Sequence, residues 1–152
     1  MSAICVIKGD GVEGIINFKQ IDNKSPVVIS GVINGLKMGK HGFHVHEFGD
    51  TTNGCISAGA HYNPFKKEHG GPNDENRHVG DLGNIESNQD KKSIINITDN
   101  IITLFGQKSI VGRSIVVHEN EDDLGGGNTP DSKITGNAGA RLGCGIIALS
   151  KI

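Results

Sequence analysis

Residues 42–50 read Gly-Phe-His-Val-His-Glu-Phe-Gly-Asp, which sets two histidines one residue apart in a run that alternates like a β-strand. In an extended chain residues i and i+2 project from the same face, so His44 and His46 should stand side by side while Phe43, Val45 and Glu47 point the other way. Two imidazoles on one face make half of a metal site. All seven histidines fall between positions 41 and 118: His41, His44, His46, His61, His69, His78 and His118. His118 ends the β-branched run Ser-Ile-Val-Val-His. His61, His69 and His78 lie in a stretch rich in Gly and Pro, with Asp81 three residues after His78. Such a stretch cannot order itself by burial alone, and an ion held by His61, His69, His78 and Asp81 would supply the missing stabilisation. Three imidazoles and a carboxylate saturate a tetrahedral zinc ion, so that site would be closed and structural. His44, His46 and His118 remain for a second ion. Imidazole-only ligation with an open face suits copper and catalytic zinc equally, and spacing does not choose between them.

These side chains need a rigid frame. Alternating or β-branched runs recur at residues 3–9, 14–21, 27–35, 42–48, 82–87, 93–104, 109–119 and 141–150, which predicts eight strands with turn signals such as Lys-Gly-Asp-Gly and Asn-Gln-Asp-Lys-Lys between most of them. Two intervals, 49–81 and 119–139, are too long for hairpin turns. Loops of that length in a compact domain are usually functional or disordered, and these two carry most of the unusual chemistry. The expectation is a single all-β domain spanning residues 1–152, an antiparallel barrel or sandwich with two long functional loops. Gly9-Asp-Gly-Val-Glu-Gly14 satisfies a dinucleotide-binding pattern, but that motif needs a helix next. Here Ile-Ile-Asn-Phe-Lys-Gln-Ile follows, so a hairpin turn is expected instead.

Composition narrows the function. Apolar residues make up 35% of the chain, there are 23 glycines and no Trp, and the formal charge is −2. That balance argues against a general nucleic-acid or membrane surface, and no apolar run approaches the roughly 20 residues of a membrane-spanning helix. The N-terminal residues lack the basic start, apolar core and cleavage site of a signal peptide, so a cytoplasmic location is expected. The sequons Asn23-Lys24-Ser25 and Asn96-Ile97-Thr98 are expected to be silent there.

Taken together, these residues resemble cytosolic copper/zinc superoxide dismutase over essentially the whole chain. Gly42–Asp50 looks like one signature of that family, and Gly-Asn-Ala-Gly-Ala-Arg-Leu-Gly-Cys-Gly-Ile-Ile, residues 136–147, looks like the other. The segments starting at Gly59, Gly70 and Val116 fall between them in the family's order. The resemblance implies an eight-stranded Greek-key barrel of the Ig-like sandwich type, a group in which this family is itself a standard member. It implies disproportionation of superoxide to dioxygen and hydrogen peroxide, with one copper and one zinc per chain. His44, His46, His61 and His118 match the copper ligands, and His61, His69, His78 and Asp81 match the zinc ligands, so His61 would bridge the two ions. Arg141 matches the residue that guides the anion, and a guanidinium suits a small oxyanion. Asp122 matches the carboxylate that bonds one copper and one zinc histidine; Asp123 is its neighbour and competitor, and only the resemblance chooses. His41 matches a histidine that bonds backbone. The three cysteines permit three pairings; by resemblance Cys55 pairs with Cys144 and Cys5 stays a buried thiol.

The resemblance also implies a homodimer, with the segment near Val111 and the two termini at its interface, and loading by a copper chaperone. Many animal members carry lysines where this chain has Asn120 and Gly126, and Lys133 sits one residue early, with Ile134 in the usual lysine position. Weaker electrostatic steering follows as an expectation. Other readings are a copper chaperone sharing the barrel, a zinc hydrolase, and a non-catalytic metal-binding sandwich. The chaperone would add an N-terminal metal-binding domain with Cys-x-x-Cys, which these residues do not contain. The hydrolase would need zinc with an open position and a general base.

Overall fold

The structure is a computed structural model that describes residues 1–151. β1 (Ser2–Gly9) and β2 (Val12–Lys19) form a hairpin in unbroken register from Ser2–Lys19 to Gly9–Val12. Asp10 and Gly11 make its turn, and Gly11 takes φ 71°, a left-handed conformation in which a Cβ is costly. The glycine-rich motif is therefore a hairpin, as expected. β3 (Val27–Asn34), β4 (Gly39–His46), β6 (Asp81–Ser87), β7 (Lys92–Asp99), β8 (Ser114–His118) and β9 (Arg141–Ser150) supply the other long strands, and β5 (Thr52–Cys55) is a short strand in the first long loop. Eight of the nine close an antiparallel barrel in the order β1-β2-β3-β7-β6-β4-β8-β9. Closure leaves no unpaired edge in the barrel.

Strand bounds depart from the sequence reading in four places, each for a local reason. The run 93–104 stops pairing at Asp99, whose carboxylate accepts the N–H groups of Ile101 and Ile102 at 2.9 Å and turns the chain. In the run 109–119 only Ser114–His118 is strand, because Arg113 N–H donates to Ile110 O in a turn with Gly112 at φ 90°. β4 ends at His46, where pairing with β8 runs out. Glu47 thus leaves the face of Phe43 and Val45 on which alternation placed it: it is exposed on the same cleft as His46, its N–H donating to Ala60 O. The short β5 had no period-2 signal to announce it.

Phe43 and Val45 are fully buried among Ile7, Ile16, Phe18 and Ile115 inside the barrel. Burying side chains of this size contributes about 1.5–3 kcal/mol each, so the face of β4 opposite its histidines is firmly anchored. The first loop is tied down twice. Cys55 and Cys144 form a disulfide across 89 residues with Cα atoms 5.8 Å apart, and closing so long a loop contributes about 4–5 kcal/mol on the chain-entropy account. Buried Arg77 pairs with Asp99 at 2.7 Å and also donates to the carbonyls of Pro72, His78 and Val79. Cys5 remains a free buried thiol, pushed up to about 12 by that burial.

Candidate metal centre

Strand pairing delivers three of the histidines. β4 sets His44 opposite Val116 of β8 and opposite Asp81 of β6, across a bulge that follows Gly42. His46 makes a bridge to His61 of the first loop, and His118 at the end of β8 faces Arg141 at the start of β9. His44 and His46 do share a face, with ring centroids 6.2 Å apart, on the outer side of the barrel beneath the two long loops. Each ring has one nitrogen already committed. His46 Nδ1–H donates to Gly59 O at 2.8 Å, His118 Nδ1–H to Gly139 O at 3.1 Å, and His44 Nε2–H to Asp122 Oδ2 at 2.6 Å. Their remaining nitrogens are therefore bare lone pairs turned toward one another, and His46 Nε2 stands only 3.3 Å from His118 Nε2. Two such atoms repel unless a cation lies between them. His44 Nδ1 and His61 Nε2 are buried with no hydrogen-bond partner at all, a costly condition in an apolar setting. Ligand atoms of His44, His46, His61 and His118 all lie within 4.8 Å of one another, so the set fits one ion with nitrogen ligands.

A second group adjoins the first through the same residue. His61, His69, His78 and Asp81 also bring ligand atoms within 4.8 Å of each other. His61 Nδ1 is 3.0 Å from Asp81 Oδ1 and 3.1 Å from His78 Nδ1, and His69 Nδ1 is 2.9 Å from Asp81 Oδ1. Three imidazoles and one carboxylate fit a closed tetrahedral zinc site. Asp81 is aimed by the N–H groups of Gly70 and His78, both of which donate to its Oδ2.

Electrostatics sort the two groups. Burial, reinforced by neighbouring His61, holds His44 and His46 well below the ordinary imidazole range, and burial pushes His118 down to about 4. His61 is lowered by burial too, although Asp81 opposes it. These four rings stay neutral near pH 7 and keep the lone pairs that a metal needs. His69 differs: burial would lower it, but hydrogen bonds to Asp122 and Asp81 hold it up at about 9. Burial works against ionising Asp81, yet its bonds from His61, His69 and His78 keep it far below the usual carboxylate range.

Asp122, fully buried, reaches both groups: Oδ2 accepts from His44 at 2.6 Å and Oδ1 from His69 Nε2 at 2.7 Å. Asp123 does not. Its carboxylate accepts from Gly125 N, Ser132 Oγ and Asn137 Nδ2 and organises the second loop instead. Two supports of Asp122 lay inside the segments that carried the resemblance, but were not singled out from the sequence. Asn84 of β6 exchanges two hydrogen bonds with its backbone, at 2.7 and 3.0 Å. Gly136, at φ 72°, leaves room for Asp122 Oδ1, which a Cβ there would meet, along with His69 Nε2. It opens the 136–147 signature, but nothing in the sequence linked that position to Asp122. His41 ring nitrogens lie 2.8 Å from the carbonyl oxygens of His118 and Lys37, so this histidine braces backbone and offers no ligand atom to either group.

A cleft of about 770 Å³ opens over the first group, and His46, His61, His118 and Arg141 line it. Arg141 Nη1 donates to Cys55 O at 2.8 Å, so the disulfide-tethered segment fixes the guanidinium at the mouth. The arrangement can hold two cations about one imidazole and admit a small anion to one of them.

Comparison with known proteins agrees with this chemistry. A family model described as copper/zinc superoxide dismutase matches residues 12–147. The chain is also similar to Cu-Zn superoxide dismutase 5 of Dictyostelium discoideum, 89% identical over 152 residues and covering 100% of both chains. A match of that extent and an identity of that level leave one conclusion, that the chain belongs to the copper/zinc superoxide dismutase family.

Proposed function

We propose that His44, His46, His61 and His118 hold copper, that His61, His69, His78 and Asp81 hold zinc, and that His61 is shared between them in a single domain spanning residues 1–152. The carrying observation is the division of His61, whose Nδ1 faces Asp81 and His78 while its buried Nε2 meets no hydrogen-bond partner. The chain is a superoxide dismutase with copper and zinc as cofactors, an oxidoreductase that turns two superoxide anions and two protons into dioxygen and hydrogen peroxide. When bound, copper supplies one-electron exchange with superoxide, and zinc supplies a fixed charge without redox chemistry. The residues do the rest. His61 Nε2 is the atom that takes up and gives back a proton between the two halves of the reaction, while Asp81 and His78 keep its ring aimed from the other side. Asp122 fixes His44 and His69 through their Nε2–H groups, which leaves His44 Nδ1 as a lone pair.

Arg141 receives the anion. Its position opposite His118 and its bond to Cys55 O hold a permanent positive charge at the mouth of the cleft. Superoxide dismutases are themselves among the enzymes that define the diffusional ceiling, so loss of this charge acts on kcat/KM. Arg141→Gln is expected to lower kcat/KM about tenfold at low ionic strength, with copper and zinc content unchanged. Pulse radiolysis together with metal analysis reads both quantities, and a wild-type rate would remove Arg141 from this role.

The same reading extends to assembly and location. Val6 and Ile146 lie about half exposed on the adjacent strands β1 and β9, Gly112 N–H donates to Ile147 O beside Ile146, and Leu149 is 69% exposed. These residues match the termini and the segment near Val111 expected at a homodimer interface; Ile152, the last of that terminal segment, lies outside the described residues. Sedimentation should give about 32 kDa, twice the 16.0 kDa chain, and a 16.0 kDa species at micromolar protein would oppose a dimer. Among the described residues no helix is long and apolar enough to cross a membrane. We place the protein in the cytoplasm, loaded by a copper chaperone; recovery from the culture medium would contradict the first, and full copper content in cells without the chaperone the second.

A further inference from the structure

The cleft over the histidines has two walls of different charge. One comes from the second long loop, where Asp131, Ile134 and Thr135 face the opening. Ile134 is 60% exposed there, and Lys133 is exposed without lining the cleft, so this wall offers no cation. The facing wall comes from the turn between β7 and β8, which places Gln107 and Lys108 on the same cleft. Three cations line it in all. Arg141 is bonded to Cys55 O. Arg113 is committed as well: its Nε donates to Ser109 O, its Nη1 donates to Glu47 O, and its guanidinium lies 3.8 Å from the Tyr62 ring centroid. Lys108 has no carboxylate or hydrogen-bond partner among the described residues; its Nζ sits 5.1 Å from the ring centroid of Phe65, a cation–π contact that holds the ammonium without neutralising it.

We propose that Lys108, held by Phe65, helps to guide superoxide toward Arg141 in this chain, from a part of the cleft lining outside the second long loop, where the lysines are absent. The proposal rests on reading His44, His46, His61 and His118 as the copper site. Lys108 touches no metal ligand, and its action is through space. A single exposed charge near a charged mouth changes the encounter rate by about twofold, and the effect fades once the ionic strength shortens the Debye length to a few ångströms. Two negative groups on the same cleft, Glu47 and Asp131, raise the value of an unpaired cation there.

The test compares Lys108→Gln, Lys108→Arg and Lys19→Gln in the copper- and zinc-loaded protein. Lys19 is exposed and outside the cleft, so its loss changes net charge equally without touching the wall. Lys108→Gln is expected to lower kcat/KM about twofold at low ionic strength and to flatten its dependence on salt. Lys108→Arg should retain both, and Lys19→Gln should match wild type. Azide titrated against the copper absorption should bind about twofold more weakly to Lys108→Gln alone. A Lys108→Gln protein that tracks Lys19→Gln in rate and in azide affinity overturns the proposal, as does a loss that persists unchanged at high salt. A wild-type protein that holds both metals but consumes no superoxide would instead overturn the copper-site reading and the proposal with it, a result distinct from a Lys108→Gln protein that matches Lys19→Gln in an active series.

Discussion

His118→Ala should lose superoxide consumption by at least about a hundredfold while keeping one zinc per chain. Removing a group that merely orients a ligand typically costs 10–100-fold in metal affinity or activity, and His118 is placed as a ligand itself. Its Nε2 stands 3.3 Å from His46 Nε2, in the group with His44 and His61, and it is absent from the group that contains Asp81. The substitution also removes the Nδ1–H bond to Gly139 O at the end of β8, a local loss that leaves the barrel pairing of Ser114–Val117 in place. Metal analysis after dialysis and pulse radiolysis on the same sample separate the two effects. Undiminished turnover, or loss of zinc with copper retained, would mean that the two groups have been assigned the wrong way round.

Asp122→Ala is expected to weaken both metals together, by about 10–100-fold in affinity each. The carboxylate is fully buried and accepts from His44 on one side and His69 on the other, so its removal frees one ring in each group to rotate. It also takes away a principal support of the proton on His69, because hydrogen bonding to Asp122 leads the effects that hold this imidazole up at about 9 against burial. Asp123→Ala, by contrast, removes bonds to Gly125, Ser132 and Asn137 only and should change metal affinity far less. Competition with chromophoric chelators measures both variants. Equal affinity in Asp122→Ala and wild type would show that the link between the sites is not what orients the histidines.

What could be read from the chain depended on whether the signal was local. His44 and His46 on one face, with Phe43 and Val45 on the other, followed from period-2 geometry, and the structure has them so. The two long intervals were visible because they broke that period. The division of His61 between two groups was not visible from spacing, since it depends on where a loop lies against β4, and resemblance to the family alone supplied it. Arg141 and Asp122 were in the same position: the first is brought opposite His118 by β8–β9 pairing, the second reaches two histidines from β4 and from the first loop. Glu47 was misread because alternation was carried one residue past the point where β4 loses its partner. Lys108 and Phe65 carried no motif at all, as each acquires meaning only through the other across a separation of 43 residues in the chain.

The claim on which the rest depends is that one imidazole is shared by two cations. A crystal structure of the protein loaded with copper(II) and zinc, with anomalous data at both absorption edges, tests it directly. The expected result is copper bonded to His61 Nε2 with His44, His46 and His118, and zinc bonded to His61 Nδ1 with His69, His78 and Asp81. A structure with both ions present and His61 bonded to neither, or to one of them alone, would contradict it.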